Sequence, residues 1–174
     1  MRPALPDDAP ALASLGERLW RATYTGLIPA SNLELHLAQT FGPAQQAAEL
    51  ADPACTMLLL EMGGAPLGYA LLRACGPEIE KSLEFRQPLE VARFYLDPSL
   101  HGQGAAQALM AAVLAQAVKA GHDGLWLQVW EQNPRAIRFY AKAGFLDVGG
   151  ATYHIGHQVD RDRVLVHALL ARGL

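Results

Sequence analysis

The chain has 174 residues, of which 51% are hydrophobic, with a formal net charge of −3 and two cysteines. This length and apolar content predict one domain, residues 1–174, with a substantial core, and the weak negative charge without a basic run argues against a nucleic-acid partner. No apolar tract reaches the ~20 residues of a membrane-spanning helix, and two widely spaced thiols favour a reducing compartment, so we expect a cytoplasmic protein that does not engage a membrane.

The first half of the sequence predicts three helices followed by a β-hairpin. Helix-start residues, apolar residues at helical spacing and a Gly-Gly turn are the signals. The predicted elements are a short edge strand at Arg2–Leu5, a helix capped by Asp7 or Asp8 and ending near Tyr24, helices after Pro29 and from Pro43 to Leu50, and strands Thr56–Met62 and Leu67–Arg73 around Gly63-Gly64, with a polar loop over Gly76–Pro88.

The second half predicts an alternation of strands and helices. A strand over Leu89–Leu96 leads through a glycine-bearing loop into an amphipathic helix that ends near Lys119 and Gly121. A strand at Leu125–Val129, a helix from Asn133-Pro134 to Ala143, and closing strands Phe145–Thr152 and Arg163–Leu170 follow. This order predicts an α/β domain with a mixed sheet and one right-handed crossover between parallel strands.

The loop His101-Gly102-Gln103-Gly104-Ala105-Ala106 is the strongest candidate for a binding element. The N–H groups of the first helical turn and the helix dipole together favour an anion such as a phosphate. A tight turn with no ligand is an alternative. A dinucleotide fingerprint fits poorly, because Gln107 stands at its third position and Asp123 precedes the next strand, and no lysine follows Gly104 as a P-loop requires.

Two linked segments resemble the Gcn5-related acetyltransferase (GNAT) family. The loop from Gly102 onward is similar to the family's pyrophosphate loop, although His101 replaces the usual Gln or Arg. The segment Leu125–Val129, Asn133, Tyr140 and Gly144-Phe145 is similar to its second signature: strand, Asn, helix with Tyr, then Gly-Phe. The resemblance extends over nearly the full length and implies a GNAT-type acyl-CoA N-acyltransferase fold, with a mostly antiparallel central sheet flanked by helices.

The resemblance also implies an acetyl-CoA-dependent N-acetyltransferase that acts by direct attack of a primary amine, with no covalent enzyme intermediate and no metal. Tyr140 would be the acid that protonates the leaving thiolate, and the Leu96 N–H would polarise the thioester carbonyl. The residues implied in binding the co-substrate acetyl-CoA are Phe94, Leu96, Gly102, Gln103, Gly104, Ala105, Ala106, Gln107 and Asn133.

Glu90 is the best candidate for the base that accepts the amine proton. By alternation it is expected to share a strand face with Ala92, Phe94 and Leu96, and a glutamate occupies this spacing in one branch of the family. A solvated position at the strand start is the alternative. Gln128 replaces the glutamate of another branch, and Glu80 and Glu84 are secondary candidates.

The acceptor is left open by the sequence. A small-molecule or peptide amine is implied, and an antibiotic, polyamine, amino acid or protein N-terminus would each fit. His154 and His157 with Asp160 and Asp162 fit no standard zinc spacing, and by resemblance this hairpin lines the acceptor pocket. A non-catalytic acyl-CoA-binding or sensing module is the rival function, and the protein is expected to be a monomer or homodimer.

Overall fold

The computed structural model describes residues 1–74 and 85–169. Within these ranges five α-helices and seven strands follow one another in much the predicted order, while Cys75, Glu80, Glu84 and most of the predicted polar loop lie outside the described residues. The elements are β1 (Arg2–Pro3), α1 (Ala9–Tyr24), α2 (Ala30–Thr40), α3 (Pro43–Ala51), β2 (Cys55–Met62), β3 (Ala65–Arg73), β4 (Pro88–Leu96), α4 (Ala105–Lys119), β5 (Gly124–Trp130), α5 (Pro134–Lys142), β6 (Leu146–Ile155) and β7 (Gln158–Ala168).

The strands form one seven-stranded sheet in the order β1-β2-β3-β4-β5-β7-β6. Every neighbouring pair is antiparallel except β4 and β5, which are parallel because α4 carries the chain back between them. The prediction of a mixed, mostly antiparallel sheet flanked by helices is confirmed.

The parallel pair β4 and β5 is hydrogen-bonded along only part of its length. Pairing joins Pro88–Glu90 to Gly124–Trp126. Beyond that point β4 stays beside β3 as far as Leu96, and β5 stays beside β7 as far as Trp130. The two strands therefore separate in the middle of the sheet, and this opening positions the candidate site.

The sheet is covered on both faces. On one face α4 supplies Leu109, Met110 and Val113, which pack with residues of β2 to β5 and with α5. On the other face Leu12 and Leu15 of α1 pack against β2 and β3. Each fully buried aliphatic side chain contributes roughly 1.5–3 kcal/mol. These two layers hold the central strands rigidly on either side of the opening.

Strand β4 carries one extra residue relative to β3. Leu71 pairs with Arg93 and the adjacent Leu72 pairs with Val91, which leaves Ala92 without an opposite residue. Such a bulge shifts the alternation of the strand by one position. Val91 and Phe94 consequently pack in the same cluster, against α4 and α5, whereas Ala92 packs against the α1 layer.

The closing hairpin is longer than the sequence predicts. Strand β7 begins at Gln158 rather than Arg163, and β6 extends to Ile155 rather than Thr152. Apart from Val159, the residues from Gln158 to Asp162 are polar and offer no apolar strand pattern, so their pairing with β6 is decided by tertiary contacts rather than by local preference. This extension brings Asp160 and Asp162 into the sheet.

Candidate active site

The separation of β4 from β5 opens a cavity of about 500 Å³. The second half of β4, the glycine loop and α5 line one side, and the end of β5, α1 and the β6–β7 hairpin line the other. The cavity thus connects the α4–α5 face of the sheet with the α1–α2 face.

The glycine loop has the geometry of an anion cradle. Gly102 and Gly104 adopt left-handed backbone angles, with φ of +75° and +76°, and a Cβ atom at either position would meet no atom within 4 Å. No side chain caps the N-terminus of α4, so the N–H groups of its first turn are directed at the loop opening. The backbone can therefore approach a phosphate closely here.

The predicted loop residues divide into two groups. Gly102, Gly104, Ala106 and Gln107 line the cavity, as predicted for co-substrate contacts. Gln103 instead turns its side chain back into the loop, where Nε2 donates to the Ser99 carbonyl oxygen over 2.6 Å, and Ala105 lies outside the lining described for the cavity. The Gln103 side chain thus supports the loop, and the Ala105 side chain packs against the core.

The edge of β4 offers free hydrogen-bonding groups to the opening. The Asp97 N–H donates to the Leu67 carbonyl oxygen over 2.7 Å, toward β3. Because successive residues of a strand direct their N–H groups to opposite sides, the Leu96 N–H and, two residues earlier, the Phe94 N–H point toward the gap beside β5. An extended, amide-rich ligand can pair with this edge as an additional strand does.

Tyr140 lies at the centre of an aromatic cluster and lines the cavity. Its ring meets Phe94, Phe139 and Phe145 at centroid distances of 6.1, 5.3 and 5.6 Å. Burial raises the pKa of the Tyr140 phenol well above its usual range, so the phenol is a neutral proton donor at pH 7. Its position is fixed by α5, whose first turn is capped by Asn133, with Oδ1 accepting from the Ala136 N–H over 3.1 Å.

Glu90 also lines the cavity, but not on the expected face. The expectation that Glu90 shares a face with Phe94 and Leu96 is wrong, because the bulge at Ala92 lies between them. Leu89 and Val91, on either side of Glu90, both pack against the α4–α5 layer, so the Glu90 side chain points to the opposite face. There its Oε2 accepts from Arg73 Nη1 over 3.3 Å.

Two basic residues lie beside the glycine loop. Arg135 Nη1 is 3.2 Å from His101 Nδ1, and both side chains line the cavity. The two residues are 34 positions apart in the chain, so no local sequence pattern links them. The Arg135 guanidinium adds positive charge where the loop would hold a phosphate.

A family comparison agrees with this geometry. The family model described as the acetyltransferase (GNAT) family matches residues 17–145, a range that includes the cradle, the separated strands and Tyr140. The chain belongs to the GNAT acetyltransferase family. The resemblance inferred from the sequence is confirmed, and the family assignment makes the protein an acetyl-CoA-dependent N-acetyltransferase.

Two relatives that match over nearly their full length are also described as N-acetyltransferases. An uncharacterized N-acetyltransferase of Mycobacterium tuberculosis is 33% identical over 163 residues, covering 94% of this chain and 99% of the relative. An uncharacterized N-acetyltransferase of Lactobacillus delbrueckii subsp. lactis is 24% identical over 166 residues, covering 94% of this chain and 93% of the relative.

Solved structures share the fold at low sequence identity. The PaiA N-acetyltransferase from Thermoplasma acidophilum, solved in complex with coenzyme A, superposes with a TM-score of 0.78 at 18% identity, covering 96% of each chain. The ribosomal-protein-S18-alanine N-acetyltransferase from Escherichia coli gives a TM-score of 0.71 at 17% identity, covering 99% of this chain and 94% of the other. The predicted GNAT fold is confirmed.

The opposite end of the acetyltransferase cavity is aromatic and acidic. Tyr24 of α1 and Trp130 of β5 lie with ring centroids 5.7 Å apart, and Tyr153, Asp160 and Asp162 of the β6–β7 hairpin complete the lining. The sequence indicated this hairpin by resemblance, but Tyr24, Trp130 and Tyr153 were missed because their aromatic side chains are distributed over three elements. We take this end to be the acceptor side.

The described part of the chain shows neither a cluster of metal-binding side chains nor a membrane-spanning helix. Within residues 1–74 and 85–169, no three His, Cys, Asp or Glu side chains are grouped so that they could hold a metal ion. Over the same ranges, no helix is both long enough and apolar enough to cross a membrane.

Proposed function

We propose that this acetyltransferase transfers the acetyl group of acetyl-CoA to a primary amine by direct attack, without a covalent enzyme intermediate. The observation that carries the proposal is the separation of β4 from β5 beside the glycine loop. Through this opening an extended thioester can reach the edge of β4. An amine can reach the thioester carbonyl from the other face of the sheet.

In this proposal the co-substrate binds along the α4–α5 side of the opening. The N–H groups between Gly102 and Gln107 hold the pyrophosphate, with Ala105 contributing its backbone, except that the Gln103 N–H already donates to the Leu100 carbonyl oxygen over 3.3 Å and Gln103 supports the loop. The pantetheine pairs with the backbone of Phe94 and Leu96, and Asn133 borders the channel. The Leu96 N–H donates to the thioester carbonyl oxygen and stabilises the negative charge that develops there.

The proposed chemical step needs one acid and one base. The neutral amine nitrogen forms a bond to the thioester carbonyl carbon, the carbon–sulfur bond breaks, and the thiolate takes a proton from Tyr140. The extra proton of the attacking nitrogen passes to Glu90, directly or through water. Because amines with a pKa near 10 are mostly protonated at neutral pH, a base on the acceptor side is required.

The described cysteine does not favour a covalent route. Cys55 lies on β2, outside the residues that line the cavity. Burial raises the pKa of its thiol, which lowers the thiolate fraction that nucleophilic catalysis needs. We further propose a small-molecule or peptide amine as acceptor, a cytoplasmic location, and a monomer or homodimer.

Free thiol release tests the proposal. The purified protein is incubated with acetyl-CoA and a panel of primary amines, and turnover is expected with at least one of them. Acetyl-CoA at 100 times its Kd should stabilise the fold by about 2.7 kcal/mol, which a thermal unfolding experiment detects. Acetyl-CoA binding without turnover on a broad amine panel would contradict the proposed transfer and indicate a sensing module.

A further inference from the structure

Two carboxylates at the acceptor end have no cationic partner among the described residues. Asp162 is 7% exposed and lines the cavity, and no ion pair reaches it from residues 1–74 or 85–169. The neighbouring Asp160 accepts from Gln158 Nε2 over 2.6 Å at Oδ1, while its Oδ2 is buried without a hydrogen-bond partner. Buried negative charge without a cationic partner is costly, so Asp162 and the Oδ2 atom of Asp160 indicate a ligand that supplies donors.

The other charged groups on this side of the cavity are already compensated. Arg93, which is buried, donates to both carboxylate oxygens of Glu49 at 2.6 and 2.8 Å. Glu90 is paired with Arg73. The acceptor end is therefore negative as a whole, in contrast to the basic groups beside the glycine loop.

A third unpartnered acceptor lies at the same end. Gln128 Oε1 is buried and has no hydrogen-bond partner, and Gln128 lines the cavity with Asp160 and Asp162. An alkylammonium group has three N–H donors and no acceptor. The three N–H donors of an alkylammonium group can therefore be shared among Asp160, Asp162 and Gln128, and its positive charge is opposite to that of the two carboxylates.

Aromatic rings form the remaining wall. Tyr24, Trp130 and Tyr153 line the cavity on the acceptor side, and Trp20 stacks on Tyr24 at a centroid distance of 4.1 Å. Aromatic faces attract a cation and also accommodate a short methylene chain. A neutral or anionic acceptor would leave this combination of rings and carboxylates unused.

We propose that the acceptor carries a second cationic group, and that Asp160, Asp162 and Gln128 bind this group while another amine of the same molecule is acetylated. An ammonium ion held by three acceptors keeps its protons and has no lone pair for attack, so the bound group and the reacting group must be different nitrogens. The inference rests on the proposed acetyl transfer to an amine and specifies its substrate class as diamines or longer amines with separated charges.

A matched set of acceptors tests the charge requirement directly. Diaminobutane, butylamine and γ-aminobutyrate share a four-carbon chain and differ in the group at the far end. We expect kcat/KM to fall by about 10–100-fold from diaminobutane to butylamine, because the charge-assisted hydrogen bonds to the far ammonium group are lost. It should fall further for γ-aminobutyrate, because its carboxylate is repelled by Asp160 and Asp162. Diaminopropane and diaminopentane extend the series to other spacings.

Two variants link the preference to the carboxylates. Asp162→Asn and Asp160→Asn are each expected to bring the ratio of diaminobutane to butylamine kcat/KM close to one. Asp147→Asn is the matched control on the same hairpin, since Asp147 is paired with Arg163 and lies outside the cavity lining. It should leave the ratio as in the parent protein.

A binding measurement separates this inference from the proposed function. Diaminobutane is titrated calorimetrically into the parent protein and the Asp162→Asn variant, each saturated with coenzyme A. If diaminobutane binds the parent protein but not the variant, the inference is supported even when no acetyl transfer occurs. Absence of transfer would then contradict only the proposed function. Equal kcat/KM for diaminobutane and butylamine in an active parent protein overturns the inference and leaves the transfer reaction intact. Absence of both turnover and diamine binding overturns both.

Discussion

Glu90 and Phe94 lie four residues apart on β4 but on opposite faces of the sheet, because the extra residue at Ala92 shifts the alternation between them. Phe94 packs beside Tyr140 on the α4–α5 face, whereas Glu90 faces the acceptor side. Direct attack requires the base on the side of the amine and the acid on the side of the thiolate. Under the proposed mechanism, the bulge would therefore let Glu90 act as the base on one face and Tyr140 as the acid on the other, which a regular strand would not allow.

Replacing Glu90 by glutamine tests its role as the base. If Glu90 accepts the amine proton, Glu90→Gln lowers kcat by about 10²–10⁴-fold near pH 7. The loss should shrink as the pH approaches the pKa of the free amine, because more amine is then already neutral. Steady-state kinetics from neutral to alkaline pH measure this; a rate equal to that of the parent protein at every pH would rule out Glu90 as the base.

Removing the Tyr140 hydroxyl tests the acid. Tyr140→Phe keeps the aromatic packing with Phe94 and Phe145, so kcat should fall by about 10²–10⁴-fold while the Kd for coenzyme A changes little. Tyr69→Phe is the matched control, since Tyr69 is also buried but packs against the α1 layer and does not line the cavity. An unchanged kcat in Tyr140→Phe would assign protonation of the thiolate to another group.

The proposed role of the glycine loop in binding coenzyme A can be tested with two alanine substitutions that strain the backbone to a similar degree. Gly104 and Gly64 have φ of +76° and +79°, and an added Cβ meets no atom within 4 Å at either site. Each change to alanine should destabilise the fold by about 1–2 kcal/mol. Gly104→Ala should also weaken coenzyme A binding, because its methyl group extends into the approach to the helix N-terminus, whereas Gly64→Ala in the β2–β3 turn should not. Unfolding and binding titrations distinguish these effects, and equal Kd values in the two variants would contradict the cradle.

The stability of the protein should depend on pH through Asp162. Burial, with the nearby carboxylates of Asp160 and Glu131, raises the pKa of Asp162 to about 6 from 3.8. The folded state then binds a proton more tightly than the unfolded chain, so this group's contribution is fully present below about pH 4 and is lost as the pH rises through about 6. Asp162→Asn should therefore be more stable than the parent protein at pH 7, by roughly 2–3 kcal/mol, and similar to it near pH 4.

Urea unfolding at several pH values measures the Asp162 effect. Asp147→Asn is expected to change stability with the opposite sign at neutral pH, since Arg163 holds the pKa of Asp147 below its usual range. If the free energies of unfolding of the parent protein and the Asp162→Asn variant differ by the same amount at pH 4 and at pH 7, the pKa of Asp162 is not raised by folding.

The buried ion pair under the acceptor side should be essential for folding. The Arg93 and Glu49 side chains are 9% and 8% exposed. Glu49→Gln leaves the Arg93 charge buried without a counter-ion and should cost about 3–5 kcal/mol in the free energy of unfolding. Glu34→Gln, in the exposed pair with Arg21, is the control and should leave the urea midpoint unchanged; equal midpoints for the two variants would contradict this role of the pair.

Much of the fold and half of the site could be predicted from the sequence because local signals determine them. The Asn133-Pro134 helix start, the glycines of the loop and the apolar spacing of α4 each act over a few residues, and the structure reproduces all three. The glycine loop and Tyr140 follow from these elements, since a helix N-terminus and a helix face position them directly.

The far end of the cavity, which we take as the acceptor side, was decided mainly by tertiary structure, although the resemblance pointed to the hairpin that carries Asp160 and Asp162. Tyr24, Trp130, Tyr153 and Asp162 come from four different elements, and no local pattern links them. The bulge at Ala92 reverses the face of Glu90, and the polar start of β7 becomes a strand only by pairing with β6. The sequence by itself determined most of the elements and the position of the glycine loop before a helix N-terminus, whereas sheet register and strand separation, which depend on contacts between distant segments, decided which side chains meet at the far end of the cavity.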